Sequence, residues 1–284
     1  EPPAPLPGVG DVQTASSGGQ WMAVWEGRDA KGPAPLGIWM RPLGPGQELL
    51  GDAAVLVADD VCSGECQPRI APLLGGRWVI AWAAPKNQGV RARRVASDFS
   101  FEDDKPVQVV PGPTTGVSLA VLADKVGLAW RHVGEGPEYR LFGDSLTATS
   151  PEQSLNGGTD AEPEPALVAM TAPTGFVAAF VGGSPAKLRF RRTDANGTKL
   201  GAADVELEPG IDRVIARAGK VGQIALVERA PGAGGAGALR LRKLSVATAA
   251  DPGSALGPAV DVPLGSNLPM RAQLCYVPEA DVFV

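Results

Sequence analysis

The segment Gly76-Arg-Trp78-Val-Ile-Ala-Trp82 is a compact apolar run that follows a glycine and ends in an aromatic residue. A short run that is apolar at every position is typical of a β-strand buried on both faces, because a surface helix would need more length and a polar stripe. The pattern recurs at intervals of about 50 residues, at Trp21–Trp25, Val126–Trp130, Phe176–Phe180 and Gln223–Val227. The chain is therefore built from repeats, each with one buried strand.

Each repeat also contains weaker strand signals on both sides of the buried run. Alternating apolar and basic residues follow it, and this period of two predicts a half-buried strand with arginines on the solvent side; the segments are Val90–Arg93, Leu188–Arg191 and Leu239–Arg242. A further apolar stretch closes the repeat, at Val107–Val110, Val205–Leu207 and Val260–Val262. Another short strand is predicted before the buried run, at Arg69–Leu73, Val117–Val121, Pro165–Val168 and Arg213–Ala216.

Four strands in about 50 residues, repeated without a convincing helix, predict an all-β protein: a β-propeller of four-stranded antiparallel blades. Five repeats are complete and a sixth is partial, with strands predicted at Pro269–Leu274 and Asp281–Val284. We expect about six blades, or seven, in the complete ring. Residues 1–10 form a proline-rich lead and residues 11–284 a single propeller domain, whose last blade requires further sequence or another chain.

Composition excludes several classes of protein. The chain has 284 residues, 44% hydrophobic residues, 37 Gly and 27 Pro, so it can bury a core but is interrupted by many turns. A net charge of −5 and a pI near 5.1 argue against a nucleic-acid-binding protein. No apolar run reaches the roughly 18–20 residues of a membrane-spanning helix.

The repeats resemble those of secreted or envelope-anchored bacterial β-propeller proteins, in which a Gly-x-Trp-Val-x-Ala-Trp strand precedes a Val-x-Ala-Arg-Arg-Val strand. The second repeat matches best, with Gly76–Trp82 followed by Val90-Arg-Ala-Arg-Arg-Val95. The third repeat lacks the paired arginines and has Tyr139-Arg-Leu-Phe142 instead. The resemblance implies an extracytoplasmic location: secreted, periplasmic or at the cell surface.

Three cysteines bear on the compartment. Cys62 and Cys66 are separated by three residues including a glycine, a spacing that permits a disulfide-closed loop and hence an oxidising environment. A zinc site would require two more ligands, and a second cysteine pair is absent from the sequence. Cys275 is either a small buried hydrophobe or paired with a group outside this chain.

A search for catalytic motifs finds none of the usual signatures. The sequence contains one histidine, His132, and lacks Gly-x-Ser-x-Gly, the phosphate-binding Gly-x-x-x-x-Gly-Lys and His-Glu-x-x-His. We therefore predict no cofactor, no metal and no catalytic residue. His132 follows a buried strand, and its expected position is a loop.

Basic residues recur after the buried strands, where the loops of a propeller emerge on one face. We predict this loop face as the ligand-binding surface. The candidate binding residues are Arg28, Lys86, Arg131, His132, Lys187 and Arg229.

The sequence thus predicts a non-catalytic interaction module whose partner is a protein or a surface polysaccharide. One alternative is a carbohydrate-active hydrolase or lyase whose carboxylates converge near the propeller channel, because a glycosidase needs two facing carboxyl groups. A second alternative is a structural piece of a larger envelope assembly.

Overall fold

The computed structural model describes residues 12–27, 36–44, 48–51, 54–60, 66–155, 164–182, 187–209, 213–218, 223–230, 238–246, 254–258, 260–261, 276–277 and 282–283. The predicted proline-rich lead and the predicted strand at Pro269–Leu274 lie outside these residues. The described part contains twenty-three strands and a single 3-10 turn at Pro85–Asn87. No helix in it has the length and apolar character needed to cross a membrane.

The strands form successive antiparallel sheets in chain order. Sheet 1 contains β1 (Val12–Ser17), β2 (Gln20–Gly27), β3 (Gly37–Leu43) and β4 (Val55–Ala58). Sheet 2 contains β5 (Arg69–Leu73), β6 (Arg77–Ala83), β7 (Val90–Val95) and β8 (Val107–Val110). Sheet 3 contains β9 (Thr114–Leu122), β10 (Lys125–His132), β11 (Gly136–Gly143) and β12 (Gln153–Ser154).

Sheet 4 contains β13 (Ala166–Thr171), β14 (Thr174–Gly182), β15 (Lys187–Thr193) and β16 (Lys199–Pro209). Sheet 5 contains β17 (Arg213–Ala218), β18 (Gln223–Ala230), β19 (Ala238–Val246) and β20 (Ser254–Leu256), and β21 (Val260–Asp261) also pairs with β19. The strands β22 (Tyr276–Val277) and β23 (Val282–Phe283) form a two-stranded pair. The predicted all-β propeller of four-stranded antiparallel repeats is confirmed. For the partial sixth repeat, β23 lies within the strand predicted at Asp281–Val284, but its partner β22 is not a predicted strand.

The first strand of each sheet lies innermost. Contacts between consecutive sheets join their first strands, β1 to β5, β5 to β9, β9 to β13 and β13 to β17, whereas third and fourth strands pair mainly within their own sheet. First strands that follow one another in this way line the central axis of a propeller. A residue near the start of β5, β9 or β13 therefore lies near the axis.

The second strands carry the core, as their apolar runs predict. Trp78 and Trp82 of β6 and Trp130 of β10 are fully buried, and each of the four core clusters lies between two consecutive sheets. Close packing of this kind holds neighbouring blades in fixed positions.

The prediction that third-strand arginines point into solvent is wrong. Arg191 is only 5% exposed and donates a hydrogen bond to the Ser154 carbonyl of the preceding sheet. In sheet 2 the Arg93 guanidinium lies 3.5 Å from the centre of the Phe101 ring and donates to the carbonyl of Val57 in sheet 1. Arginine can bury its aliphatic stem while its guanidinium satisfies neighbouring carbonyls, so an alternating pattern does not require the charge to be solvated.

The two ends of the sheets have different roles. We call the end where second strands lead into third strands, and where each new sheet begins, the loop face. At the opposite end Arg77 contacts Glu102 of its own sheet at 2.5 Å and Asp144 of sheet 3 at 2.8 Å, while Arg94 contacts Asp103 at 2.6 Å. This ion-pair network joins sheets 2 and 3 away from the loop face.

Candidate functional site

Three polar side chains converge at the loop face of sheet 3. His132 is the last residue of β10, Glu138 lies near the start of β11, and Glu152 immediately precedes β12. Antiparallel pairing brings these chain-distant positions to the same end of the sheet, since Trp130 is paired with Glu138 and Glu138 with Ser154. We call these three residues the glutamate–histidine cluster.

The cluster is held in place by close contacts. His132 Nε2 lies 3.1 Å from Glu138 Oε2 and 3.8 Å from Glu152 Oε1, and His132 Nδ1 lies 3.3 Å from the carbonyl oxygen of Pro113. The imidazole ring and the Trp130 ring are nearly perpendicular, with the ring centres 6.2 Å apart. His132 is thus part of a strand with its side chain 12% exposed, and the expectation of a loop histidine is wrong.

The partners of His132 indicate where its hydrogen lies. A carbonyl oxygen only accepts hydrogen bonds, so Nδ1 is the nitrogen that donates to Pro113. His132 Nε2 lies 3.1 Å from Glu138 Oε2, but the orientation of the two groups makes no hydrogen bond, and Glu138 Oε2 is a buried oxygen without a hydrogen-bond partner among the described residues. The contact is therefore one of proximity, and it places the imidazole beside a carboxyl oxygen that can accept a proton or a ligand hydrogen bond.

Glu138 is the carboxyl group most altered by its surroundings. Its side chain is 12% exposed, and burial, followed by the hydrogen bond and negative charge of Glu152 and the charge of Glu135, raises the pKa of Glu138 to about 8. Burial and a second carboxylate both disfavour the ionised form. Glu138 is therefore a carboxylic acid at neutral pH, whereas Glu152 is 37% exposed to solvent.

The cluster is also the place where a cation could be considered. Within the described stretches it is the one group of His, Cys, Asp or Glu side chains whose donor atoms all lie within 4.8 Å of one another. Without a cation the burial of Glu138 disfavours its ionised form, whereas a bound cation would itself stabilise both carboxylates. We interpret the cation-free cluster as an acid–base group.

The predicted ligand-binding residues lie at the loop face to the extent that the structure describes them. Arg28 lies outside the described residues. Lys86 is exposed in the 3-10 turn between β6 and β7, Arg131 and His132 end β10, Lys187 begins β15, and Arg229 is in β18 next to its last residue. Among these, His132 belongs to the cluster, and the binding role of the others stays a prediction.

Other carboxylates of the loop face serve the fold. Asp60 accepts a hydrogen bond from Trp82 Nε1 at 2.7 Å and contacts Arg91 at 2.5 Å. Glu26 accepts hydrogen bonds from the backbone amides of Cys66 and Gln67 at 3.1 and 3.3 Å. These groups hold the connection between sheets 1 and 2 and are not available for chemistry.

The predicted Cys62–Cys66 disulfide and Cys275 cannot be placed in full, because Cys62 and Cys275 lie outside the described residues. Cys66 is fully buried in the core between sheets 1 and 2. The disulfide and the oxidising compartment stay predictions.

No protein-family model and no curated protein matches this chain. Solved structures do resemble it. A protein of unknown function from Dyadobacter fermentans is 12% identical with a TM-score of 0.57 over 84% of this chain and 79% of that one. A GH43 β-1,3-galactosidase with galactodeoxynojirimycin is 10% identical with a TM-score of 0.51 over 89% and 93%. The GH93 α-L-arabinofuranosidase of Fusarium graminearum with arabinobiose is 14% identical with a TM-score of 0.52 over 84% and 81%.

At these identities the likeness concerns the fold, which is that of a propeller. It nevertheless corrects one expectation. The prediction of a non-catalytic interaction module is wrong, because the similar structures include several glycoside hydrolases, in agreement with the hydrolase alternative. The bacterial and envelope origin implied by the repeat motif stays a prediction.

The sequence motifs do not single out Glu138 and Glu152, because no local pattern connects them. Each is an isolated glutamate, and the two are fourteen positions apart. Only the return of β11 and β12 to the loop face brings them together. A signal was present in the third repeat, which lacks the paired arginines of the second.

Proposed function

We propose that this protein is a carbohydrate-active hydrolase whose reacting groups are Glu138 and Glu152. The observation that carries the proposal is a pair of adjacent carboxyl groups in unlike environments, one buried and protonated and the other exposed. Glycosidases use such a pair, with one group as a proton donor and the other as a carboxylate.

In this proposal Glu138 donates a proton to the oxygen of the glycosidic bond. Its elevated pKa keeps the proton in place at neutral pH, and the exposed tenth of its side chain gives the acid access to solvent. His132 Nε2 lies 3.1 Å from Glu138 Oε2, beside the carboxyl group. The exposed Glu152 lies on the side of the sugar ring where positive charge would develop.

The separation of the two carboxyl groups bears on the stereochemistry. Their oxygens lie within 4.8 Å of each other, closer than the roughly 6.5–9.5 Å that inverting enzymes leave for a water molecule. Since 4.8 Å is an upper limit and Glu152 hydrogen-bonds Glu138, the two side chains must separate to the roughly 5–5.5 Å of retaining enzymes to admit a sugar. We propose retention of configuration on this basis: Glu152 attacks the anomeric carbon while the leaving alcohol takes the Glu138 proton, and water deprotonated by Glu138 then hydrolyses the glycosyl ester.

The test is hydrolysis of a panel of α-L-arabinofuranosides, β-1,3-galactans and other neutral glycans by the purified chain. Reducing-end release should fall by about 10²–10⁴-fold in Glu138→Gln and by at least as much in Glu152→Gln. Glu48→Gln, a change at an exposed glutamate of sheet 1, is the matched control and should leave the rate unchanged.

Proton NMR of the first product would report the configuration at the anomeric carbon. Unchanged release by the folded Glu138→Gln and Glu152→Gln variants would overturn the proposal. Release of none of the sugars by the wild-type chain would also count against it.

A further inference from the structure

A second polar pair lies near the propeller axis, apart from the glutamate–histidine cluster. Arg69 is the first residue of β5, and Glu164 precedes β13 by two positions. Both strands are the innermost of their sheets, and both begin at the loop face. Arg69 Nη2 lies 3.6 Å from Glu164 Oε2, so the pair joins sheet 2 to sheet 4.

This contact passes over the intervening sheet. The strand β9 contacts both β5 and β13, and a side-chain contact between its two neighbours must cross its loop-face end. Among the described residues, the pair therefore lies at the loop-face end of the innermost strands, which we call the channel mouth. Each of the two side chains is 24% exposed.

The intervening strand is shaped to admit Glu164. The pairing of β9 with β10 shifts register between Trp130 and Arg131, and the extra residue of this bulge is Gly116, with a φ of +60°. A Cβ at this position would lie 1.9 Å from Glu164 Cγ. Bulges with a left-handed glycine commonly redirect the chain beside functional sites, and here the bulge provides the space that the carboxylate occupies.

The pair offers a hydrogen-bond donor next to an acceptor. The guanidinium of Arg69 lies 3.5 Å from Gln67 Oε1 and from the Pro68 carbonyl and 3.6 Å from Glu164, and it has other contacts besides. These three distances all exceed the usual length of an N–H···O hydrogen bond, about 2.7–3.2 Å, so a sugar hydroxyl at that length would compete with them. A sugar hydroxyl both donates and accepts, so adjacent hydroxyls of one ring can bind Arg69 and Glu164 together.

We propose that Arg69 and Glu164 form a hydroxyl-binding subsite for a neutral sugar ring at the channel mouth. The inference rests on the proposed glycan hydrolase function and adds the substrate class. A neutral sugar fits better than an acidic one, because the carboxylate of an acidic sugar would lie beside that of Glu164. Both side chains are anchored at the start of innermost strands, which gives the subsite a rigid support.

The test uses Arg69→Gln and Glu164→Gln. In the full, active chain each change should raise KM for a neutral oligosaccharide about tenfold or more while kcat changes little. This corresponds to the loss of about 1.4 kcal/mol or more of binding free energy, as expected for a hydrogen bond to a charged group. In the Glu138→Gln background, calorimetry with the best substrate from the neutral panel should show the same loss of affinity.

Arg77→Gln is the matched control. This change also removes an arginine–glutamate contact, that of Arg77 with Glu102, but at the end of the sheets opposite the loop face. Thermal unfolding of this variant and of Arg69→Gln should both shift, whereas only Arg69→Gln should weaken sugar binding. A substrate lacking one ring hydroxyl should lose affinity for the wild-type chain and little further affinity for the subsite variants.

The outcomes separate the subsite from the proposed catalytic role. If Glu138→Gln abolishes hydrolysis but Arg69→Gln and Glu164→Gln leave KM unchanged, the subsite is overturned and the hydrolase proposal stands. If the subsite variants lose binding while Glu138→Gln stays active, the subsite stands and the assignment of Glu138 is wrong. Preferential binding of uronic-acid oligosaccharides, or binding of no oligosaccharide by the wild type, would also overturn the neutral-sugar subsite.

Discussion

Replacing Glu138 with glutamine should make the protein more stable at neutral pH while removing its proposed proton donor. The reason is that the folded state keeps Glu138 protonated, whereas the unfolded chain ionises it. Between the ordinary pKa of 4.5 and the folded value of about 8, folding must take up a proton, and the free energy of unfolding falls as the pH rises. Glutamine resembles the protonated acid in shape and does not titrate.

The size of the effect follows from the two pKa values. The interval between the unfolded pKa and pH 7 is about 2.5 pH units, and each unit corresponds to 1.36 kcal/mol of stability. Removing the titration therefore raises the free energy of unfolding by at most about 3.4 kcal/mol at pH 7. Solvent reaches part of the cluster and screens it, so we expect a stabilisation of about 1–3 kcal/mol. For a chain of this length that corresponds to an increase in Tm of roughly 2–4 °C per kcal/mol.

The assay is urea unfolding of wild type and Glu138→Gln at several pH values between 4.5 and 8. The two curves should coincide near pH 4.5, because below the unfolded pKa both states of the wild type are protonated, and should separate progressively as the pH rises. Glu48→Gln, at an exposed site, should follow the wild type throughout. A Glu138→Gln variant that is equally stable or less stable at pH 7.5 would refute the assignment of Glu138 as a buried neutral acid.

Three further predictions concern packing and the ion pairs. Arg77→Gln should lower the free energy of unfolding by about 1 kcal/mol at pH 7. The hydrogen bond with Arg77 lowers the pKa of Glu102, so this stabilisation is present above the ordinary pKa and is lost as the pH falls through the folded pKa. Urea unfolding of both proteins at pH 7 and at pH 3 would show the difference. Gly127→Ala should lower the free energy of unfolding in urea by about 1–3 kcal/mol, because the added Cβ would lie 2.9 Å from the Phe176 ring of the next sheet. An unchanged urea midpoint would contradict this packing. Gly116→Val should displace the adjacent carboxylate at the channel mouth and weaken oligosaccharide binding in calorimetry, and undiminished affinity would argue against the role of the bulge.

The fold could be predicted from the sequence because propeller strands repeat and their second strands are buried on both faces. The predicted first strand of the second repeat, Arg69–Leu73, and its fourth strand, Val107–Val110, have the observed bounds. The fourth strand of the third repeat could not be predicted, since β12 is only two polar residues long. Edge strands of this kind depend on backbone pairing with their neighbour, which leaves little trace in composition.

The candidate site was less predictable because its residues meet only in three dimensions. His132 could be singled out as the sole histidine, but its two carboxyl partners come from different strands. The pair Arg69 and Glu164 is separated by 95 positions and belongs to sheets that are not neighbours in the chain. No local period or motif connects such positions. They come together because both lie at the loop face, where innermost strands begin.

Comparison of equivalent positions in the repeats nevertheless singles out Glu138. In sheets 2 and 4 the aromatic residue that ends the buried run is paired with an arginine of the third strand, Trp82 with Arg91 and Phe180 with Arg189. In sheet 3 the equivalent residue is Glu138, paired with Trp130. An arginine at this place can extend to a carbonyl or carboxylate, as Arg91 does with Asp60, whereas the shorter glutamate stays beside the aromatic residue and becomes buried. The equivalent residue is Trp39 in sheet 1 and Leu241 in sheet 5, so sheet 3 is the one of these five sheets with an acid at this position. The acid places a buried carboxyl group, and with it the proposed chemistry, in the third blade.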